Sequence, residues 1–188
     1  VQPYADPDKR ALAADYVHYL GLPMFALAGC SDAKLVDQQA GIEAALTLMT
    51  DALCGANIVH DLGYLESGLS GSLVQLAICN EILGWLSHFV CGVDVSEEAL
   101  ALDLINETGP DGTFLESEHT YQHFRERWYP NLFERDNYEG WSANGGQSLA
   151  ERAAAQVAAI LAEPEPELLP PHIRQAVDAV VQRAEAAI

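Results

Sequence analysis

Gly21-Leu22-Pro23-Met24-Phe25-Ala26-Leu27-Ala28-Gly29-Cys30-Ser31-Asp32-Ala33-Lys34 is the stretch that decides the fold of this 188-residue chain. Pro23 and Gly29 bound a short apolar run, which predicts a buried strand. The run opens into Cys30-Ser31-Asp32 at the strand's carboxyl end, and a helical pattern follows. In parallel α/β folds such a loop carries the chemistry, because the strand holds the backbone rigid while loop side chains stay accessible. The same residues also fit an ordinary β-α turn in which Asp32 caps a helix. On the amino-terminal side, Asp8 to Leu20 gives a rough helical stripe closed by Gly21 and Pro23. On the other side, Val36 to Cys54 predicts a helix with Asp37 in its first turn, where negative charge suits the helix dipole. Gly55 ends that helix, and Ala56-Asn57-Ile58-Val59 predicts a second strand. It too ends in polar groups, His60-Asp61, followed by a loop from Leu62 to Gly71 that contains Glu66. Two consecutive units with polar residues at the same point argue for a parallel sheet or barrel, with a site at the carboxyl ends of its strands.

Farther along, Ser72 to Cys91 is apolar nearly all round, which predicts a helix buried on more than one face. Glu81 stands inside it. If buried, its carboxylate needs a partner or a proton; helical periodicity also allows it on a solvent stripe with Asn80 and His88. Ser96 to Glu107 predicts another helix, Gly109-Pro110-Asp111-Gly112 a turn, Thr113-Phe114-Leu115 a short third strand, and Tyr121 to Trp128 a helix. His119 and His123 stand four apart near Glu116 and Glu118, a spacing that only weakly indicates a metal, and no metal site is assigned. Trp128, Tyr129, Phe133, Tyr138 and Trp141 crowd one segment, as a cation-binding cage or a loop pinned by aromatic packing would require. Ser148 to Leu161 is an alanine-rich helical stretch, Pro164 to Pro171 a stiff connector, and His172 to Ile188 a final helix. Residues 1–7 read as irregular.

The chain carries 28 acidic and 9 basic residues, a formal charge of −19. No Lys or Arg occurs between Lys34 and Arg125, an interval with 14 Asp and Glu residues. Such a surface repels phosphate backbones, so no nucleic-acid partner is expected. It can concentrate a cationic ligand, although a merely solubilising acidic surface explains it more simply. Apolar residues make up 49%, enough for a real core. No run of 18 apolar residues and no basic-then-apolar leader is visible, so neither a membrane partner nor a secretory signal is expected. Cys30, Cys54, Cys79 and Cys91 lack Cys-x-x-Cys spacing, which supports neither a disulfide framework nor structural zinc and points to a reducing, cytoplasmic setting.

Several of these stretches, taken in order, resemble the trimethylamine methyltransferase family. They are Ala28-Gly29-Cys30-Ser31-Asp32-Ala33-Lys34, Asp37-Gln38-Gln39-Ala40-Gly41, Gly55-Ala56-Asn57, Tyr64-Leu65-Glu66-Ser67-Gly68 and Asn80-Glu81-Ile82. Gly109-Pro110 with Gly112, Phe114-Leu115, and His119-Thr120 with His123-Phe124-Arg125 continue the match. The resemblance implies an α/β fold: the carboxyl-terminal portion of a TIM (β/α)8 barrel, helix-rich, with a helical extension. Residues 1–147 would form the partial barrel and 148–188 an extension packed on it. The activity it implies is transfer of a methyl group from a methylated amine to the Co(I) of a corrinoid carried by a partner protein, with no cofactor bound directly. The family comprises pyrrolysine-containing enzymes and a group without pyrrolysine, typified by glycine betaine methyltransferase. The pyrrolysine position aligns in or beside Gly29-Cys30, where this chain has ordinary residues, which implies a quaternary, betaine-like substrate. Cys30, Asp32, His60, Asp61, Glu66, Glu81 and His119 are the expected substrate-binding residues, with Asp32 or Glu66 facing the ammonium and Cys30 as pocket lining rather than nucleophile. Because family enzymes are far longer, the chain is expected to be an expressed fragment or a partial barrel.

Two other readings fit the residues. A non-catalytic partial barrel with exposed strand edges would seek partners, and homo-oligomerisation could close it. A metal hydrolase would use His119, His123 and the nearby carboxylates.

Overall fold

The computed structural model describes residues 6–164 and 169–186. Residues 1–5 of the expected irregular start and part of the proline-rich connector lie outside the described residues, and Pro7 opens the first helix. The chain divides into two compact units, 1–157 and 158–188.

The first unit begins with α1 (Pro7–Tyr19), β1 (Phe25–Leu27), α2 (Gln38–Leu53) and β2 (Ile58–His60). β1 and β2 pair in parallel, Phe25 opposite Ile58, Ala26 opposite Val59 and Leu27 opposite His60. Parallel strands need a crossover, and α2 supplies it. Asp37 caps α2 rather than lying in its first turn, accepting hydrogen bonds from the amides of Gln39 and Ala40 at 3.0 and 3.2 Å. The buried stripe Ala40, Ala44, Thr47, Leu48, Asp51 recurs every three or four residues and turns one face of α2 inward. Most of these side chains are small, so the helix lies close against the strands. Ala28, Ala44, Leu48 and Cys79 form one core cluster, and Ala14, Met24 and Ala26 another.

Beyond β2, the chain makes a small antiparallel ladder of β3 (Tyr64–Leu65) and β4 (Ser70–Gly71), with a short 3-10 turn at Glu66–Gly68 between them. α3 (Leu73–Val90) follows, capped by Ser72, and packs on α2. By length and composition α3 could cross a membrane, with a mean hydropathy of 1.3. Its buried polar groups are nevertheless tied to the rest of the unit. Gln75 Nε2 donates to the Ala40 carbonyl at 3.1 Å, and Cys79 Sγ donates to the Gly29 carbonyl at 3.2 Å. The expected burial on several faces is not found. Leu73, Leu76, Trp85, Phe89 and Val90 are each at least 41% exposed, while Gln75, Ile78, Cys79 and Glu81 are the side chains turned inward.

The remaining helices are α4 (Glu97–Leu100), α5 (Leu102–Thr108), α6 (Glu118–His123), α7 (Tyr138–Ala143), α8 (Leu149–Ala162) and α9 (Pro171–Glu185). The expected helix from Ser96 to Glu107 is broken at Ala101, whose φ of 47° is left-handed. Thr113–Leu115 forms no strand: the Phe114 carbonyl accepts from the Ser117 amide at 3.1 Å, closing a local turn. The helix expected from Tyr121 to Trp128 is instead the earlier, shorter α6. Of a barrel, the described residues contain one two-stranded parallel sheet, making the unit a helix-rich α/β structure with few, short strands. In the second unit, α9 carries Ile173, Val177, Val180 and Val181 on one side at helical spacing.

Glu81 holds the carboxyl-terminal part of the first unit together. It is 4% exposed, and its Oε1 accepts from the backbone amides of Asn131, Leu132 and Phe133 at 2.7, 2.8 and 3.1 Å. Arg152 grips the same segment from α8, donating from Nε to the Leu132 carbonyl at 2.9 Å. Leu132 then packs with Ile78 and Ala153. Truncating Glu81 leaves three amides without their acceptor, each worth about 1–3 kcal/mol when buried and unmet. Glu81→Ala is expected to lose about 3–5 kcal/mol in urea denaturation, and Glu81→Gln, which keeps a neutral acceptor, about 1–2 kcal/mol.

Candidate functional site

The site is built where β1 and β2 end. Two loops leave the strands there and are laced by their backbones. The Ala28 amide donates to the His60 carbonyl at 3.0 Å, Gly63 to Gly29 at 3.0 Å, Ser31 to Tyr64 at 2.9 Å and Glu66 to Ala33 at 2.9 Å. α2 fixes the first loop from beneath. Thr47 Oγ1 accepts from the Gly29 amide at 3.1 Å, and Glu43 Oε2 accepts from Ser31 Oγ at 2.6 Å and the Asp32 amide at 2.8 Å. Gly29 and Gly63 have φ of 72° and 83°, and at each a Cβ would come within 2.9 Å of a packed leucine, Leu62 or Leu76. Glycine is required at both positions.

Asp32 and Glu66 stand on this laced surface. Ser67 Oγ donates to Asp32 Oδ1 at 2.5 Å, and Ser70 Oγ donates to Glu66 Oε2 at 3.1 Å. His60 Nδ1 lies 2.6 Å from Asp61 Oδ1, and its ring stacks on Phe25 with centroids 4.2 Å apart. Asp61, Glu66 and Ser67 have φ of 72°, 52° and 55°, and non-glycine residues held there cost about 1–3 kcal/mol each. Three strained residues in one loop at the end of β2 mark it as a place where geometry outweighs stability. The chemistry on offer is that of acceptors: two carboxylates, a His-Asp pair and hydroxyls. Such a surface suits a cation. Lys34 directs its ammonium to the Asp32 carbonyl, at 2.7 Å.

The other expected site residues are placed elsewhere. Cys30 is fully buried, its sulfur 3.6 Å from Arg10 Nη2. Burial pushes its thiol above the ordinary value, while the Arg10 guanidinium pulls the other way; the side chain belongs to the core and is disfavoured as a thiolate. Glu81 serves the 131–133 segment, and its buried Oε1 is filled by amides. His119 lies on α6, its Nε2 2.9 Å from the Glu98 carbonyl oxygen, in a cluster with no hydrogen bond to either loop among the described residues. Glu43, Thr47 and Ser67, which shape the loops, were not foreseen. Nor was the buried pair of Arg10 and Asp51, 3.4 Å apart under the first loop. A signal for Glu43 exists: it lies on α2 six residues past the capping Asp37, on the helix that must pack beside β1.

The family model for "Trimethylamine methyltransferase (MTTB)" matches residues 8–188. This chain belongs to that family. It is 34% identical over 176 residues to the trimethylamine methyltransferase MttB of Desulfitobacterium hafniense (strain DSM 10664 / DCB-2), covering 94% of this chain and 36% of that protein. It is 36% identical over 163 residues to the glycine betaine methyltransferase of Desulfitobacterium hafniense (strain Y51), covering 86% of this chain and 34% of that protein. With trimethylamine methyltransferase MttB of Methanosarcina thermophila it shares 36% identity over 151 residues, 80% of this chain and 31% of that one. The chain thus spans about a third of the length of these curated relatives of the trimethylamine methyltransferase family.

In this family member the histidine pair forms its own small assembly. The rings of His119 and His123 lie 4.3 Å apart. His123 Nδ1 is 2.8 Å from Glu126 Oε1, while its Nε2 is 3.7 Å from Glu98 Oε1. No group of three or more His, Cys, Asp or Glu side chains among the described residues is arranged to hold a metal ion. The hydrogen bond to Glu126 raises the His123 pKa above its ordinary 6.5, with the charges of Glu126, Glu98 and Asp94 adding to it against partial desolvation. A histidine whose folded pKa is raised contributes stability that is complete below the unfolded value and is lost as pH rises through the folded one. The tie of His123 to Glu126, with a lesser contribution from Glu98 on α4, is therefore expected to be complete below pH 6.5 and to be lost as pH rises through the raised folded value. Imidazole proton NMR should give His123 a midpoint above 6.5 that falls in Glu126→Gln.

Proposed function

We propose that this chain is the carboxyl-terminal part of a cytoplasmic, corrinoid-dependent methyltransferase, a portion of a TIM barrel in residues 1–147 with a helical extension in 148–188. Its donor is a quaternary, betaine-like methylamine, and its methyl acceptor is the Co(I) of a corrinoid bound to a partner protein. The observation that carries this reading is the laced pair of loops, which presents Asp32 and Glu66 at the ends of two parallel strands in a member of the trimethylamine methyltransferase family. When the methyl group moves, the C–N bond breaks, its electron pair leaves with a neutral amine, and a Co–C bond forms. A quaternary donor needs no proton on its leaving group, so no general acid is required. What remains for the protein is to hold the cation in line and exclude water. Asp32 and Glu66 face the ammonium, and the His60–Asp61 pair with Ser67 orients them. Cys30 acts from beneath as packing, and Glu81 and His119 act outside the site.

A second reading, association through an incomplete sheet, draws support from the apolar groove between α2 and α3. Ala45, Met49, Ile82, Trp85, Leu86 and Phe89 line it, and such a patch favours partners. Under this reading the 188-residue chain assembles with itself, and light scattering should give at least twice the 20.3 kDa of one chain; a stable monomer at about 100 μM rejects it.

The catalytic reading is tested on the full-length protein with its corrinoid partner, following cobalt methylation by absorbance. Glycine betaine is expected to methylate cobalt and trimethylamine to fail; the reverse order overturns the assignment to quaternary donors. Asp32→Asn is expected to lower kcat/KM by about 10–100-fold, the loss of one charged contact to a cation.

A further inference from the structure

A second pocket, of about 470 Å³, lies between the carboxyl-terminal half of α3 and the segment leading to α7. Its volume falls in the range of small-molecule sites. Trp85 is twelve residues from Leu73 along α3, roughly 18 Å at 1.5 Å per residue. The pocket is therefore remote from the loops at the other end of that helix. Trp85 and Trp128, both in its lining, stack on each other with centroids 5.6 Å apart and planes within 1° of parallel. Phe133 meets both edge-on. Arg127, Arg135 and His88 supply its polar lining.

In a chain with a net charge of −19, these two arginines stand apart. Each follows an acid in sequence, yet those acids are used elsewhere. Glu126 bonds His123. Glu134 accepts from the amides of Arg135 and Asp136, both at 2.8 Å, and faces Arg152 at 3.8 Å. Asp136 accepts from Asn144. Among the described residues, no carboxylate lies within ion-pair distance of Arg127 or Arg135, whereas Arg10 and Arg152 each have one. Both guanidiniums instead lie over aromatic faces, Arg127 at 4.4 Å from the Tyr129 ring and Arg135 at 5.4 Å from the Trp85 ring. Those faces are thereby taken, and the positive charge above them repels a methylammonium. A guanidinium over a ring face still has N–H donors to offer a planar anion.

We propose that this pocket binds an organic anion, with a carboxylate taken by Arg127 and Arg135 and a flat apolar body resting against the Trp85–Trp128 stack. The site is distinct from the loops at the ends of β1 and β2: it offers guanidiniums to an anionic group, where those loops offer carboxylates to an ammonium.

Tryptophan fluorescence of the full 188-residue chain tests it, in a Trp141→Phe background so that only Trp85 and Trp128 report. Benzoate is the probe, with benzamide as its neutral counterpart, benzylamine as its cationic one and inorganic phosphate as an anion without an apolar body. Saturable quenching by benzoate is expected, at least tenfold tighter than by the other three. Arg127→Gln and Arg135→Gln should each weaken benzoate about tenfold, the loss of one charge-assisted contact. Arg135→Lys should weaken it less than Arg135→Gln. Arg125→Gln should leave it unchanged, since that guanidinium lies over Phe124, outside the pocket. Unchanged far-UV circular dichroism establishes that each variant is folded. Equal response to benzamide, benzylamine or phosphate overturns the proposal. So does an Arg125→Gln loss equal to that of Arg127→Gln, or the absence of saturation up to about 10 mM.

Discussion

A parallel ladder of three residue pairs is too short to hold the loops that leave it, and the constraint on which the first unit depends is the grip of α2 on the end of β1. Thr47 takes the Gly29 amide and Glu43 takes the Ser31 hydroxyl and the Asp32 amide. These bonds lie inside or at the edge of the core, where an unmet backbone amide is costly, so the loop follows the helix. The second loop then follows the first through amides exchanged across Gly29, Ser31 and Ala33. The close approach also accounts for the small side chains of the core. With Ala28 and Ala44 against Leu48 and Cys79, α2 sits near enough for its short Thr47 to reach the strand backbone.

The acidic residues divide by what they touch. Asp37, Glu43 and Glu81 spend oxygens on backbone amides, as a cap, a loop clamp and a long-range anchor. Asp51 is fully buried beside Arg10, and its carboxyl is pushed above the ordinary range by burial against the pull of that arginine. A charge of −19 is thus not all solvated surface. Asp32 and Glu66 take hydroxyl protons with their side chains, from Ser67 and Ser70. A hydroxyl both donates and accepts, so each of these serines keeps the capacity for a second partner. The left-handed Asp61, Glu66 and Ser67 belong to the same economy, since strain persists only where surrounding bonds over-determine the backbone.

The cysteines and histidines show how position decides chemistry. Cys30 sits in the most suggestive loop of the chain, but its side chain turns into the core, where burial favours the thiol. Cys79 is pushed higher still, to about 11, for the same reason. His119 and His123 are helical neighbours whose partners are the Glu98 carbonyl and carboxylates of exposed residues, an arrangement that joins two short helices.

The alternation of helix and strand from residue 8 to 90 was legible because Gly21, Pro23, Gly29 and Gly55 punctuate apolar runs, and such signals act over a few residues. The family was legible from the ordered motifs, and the two loops bearing Asp32, His60, Asp61 and Glu66 from their repeated place after a strand. The sequence by itself therefore determined the helices and the two parallel strands of this stretch, their order, and the polar loops that follow the strands. The break at Ala101 and the turn at Thr113–Leu115 were not legible, because no residue there enforces its backbone. Only the tertiary structure decided that Cys30 faces inward, that Glu81 meets amides fifty residues later in the chain, and that Arg127 and Arg135 line one pocket with Trp85. Each depends on which distant group arrives at a given point, and a one-dimensional pattern records spacing along the chain, not proximity across it.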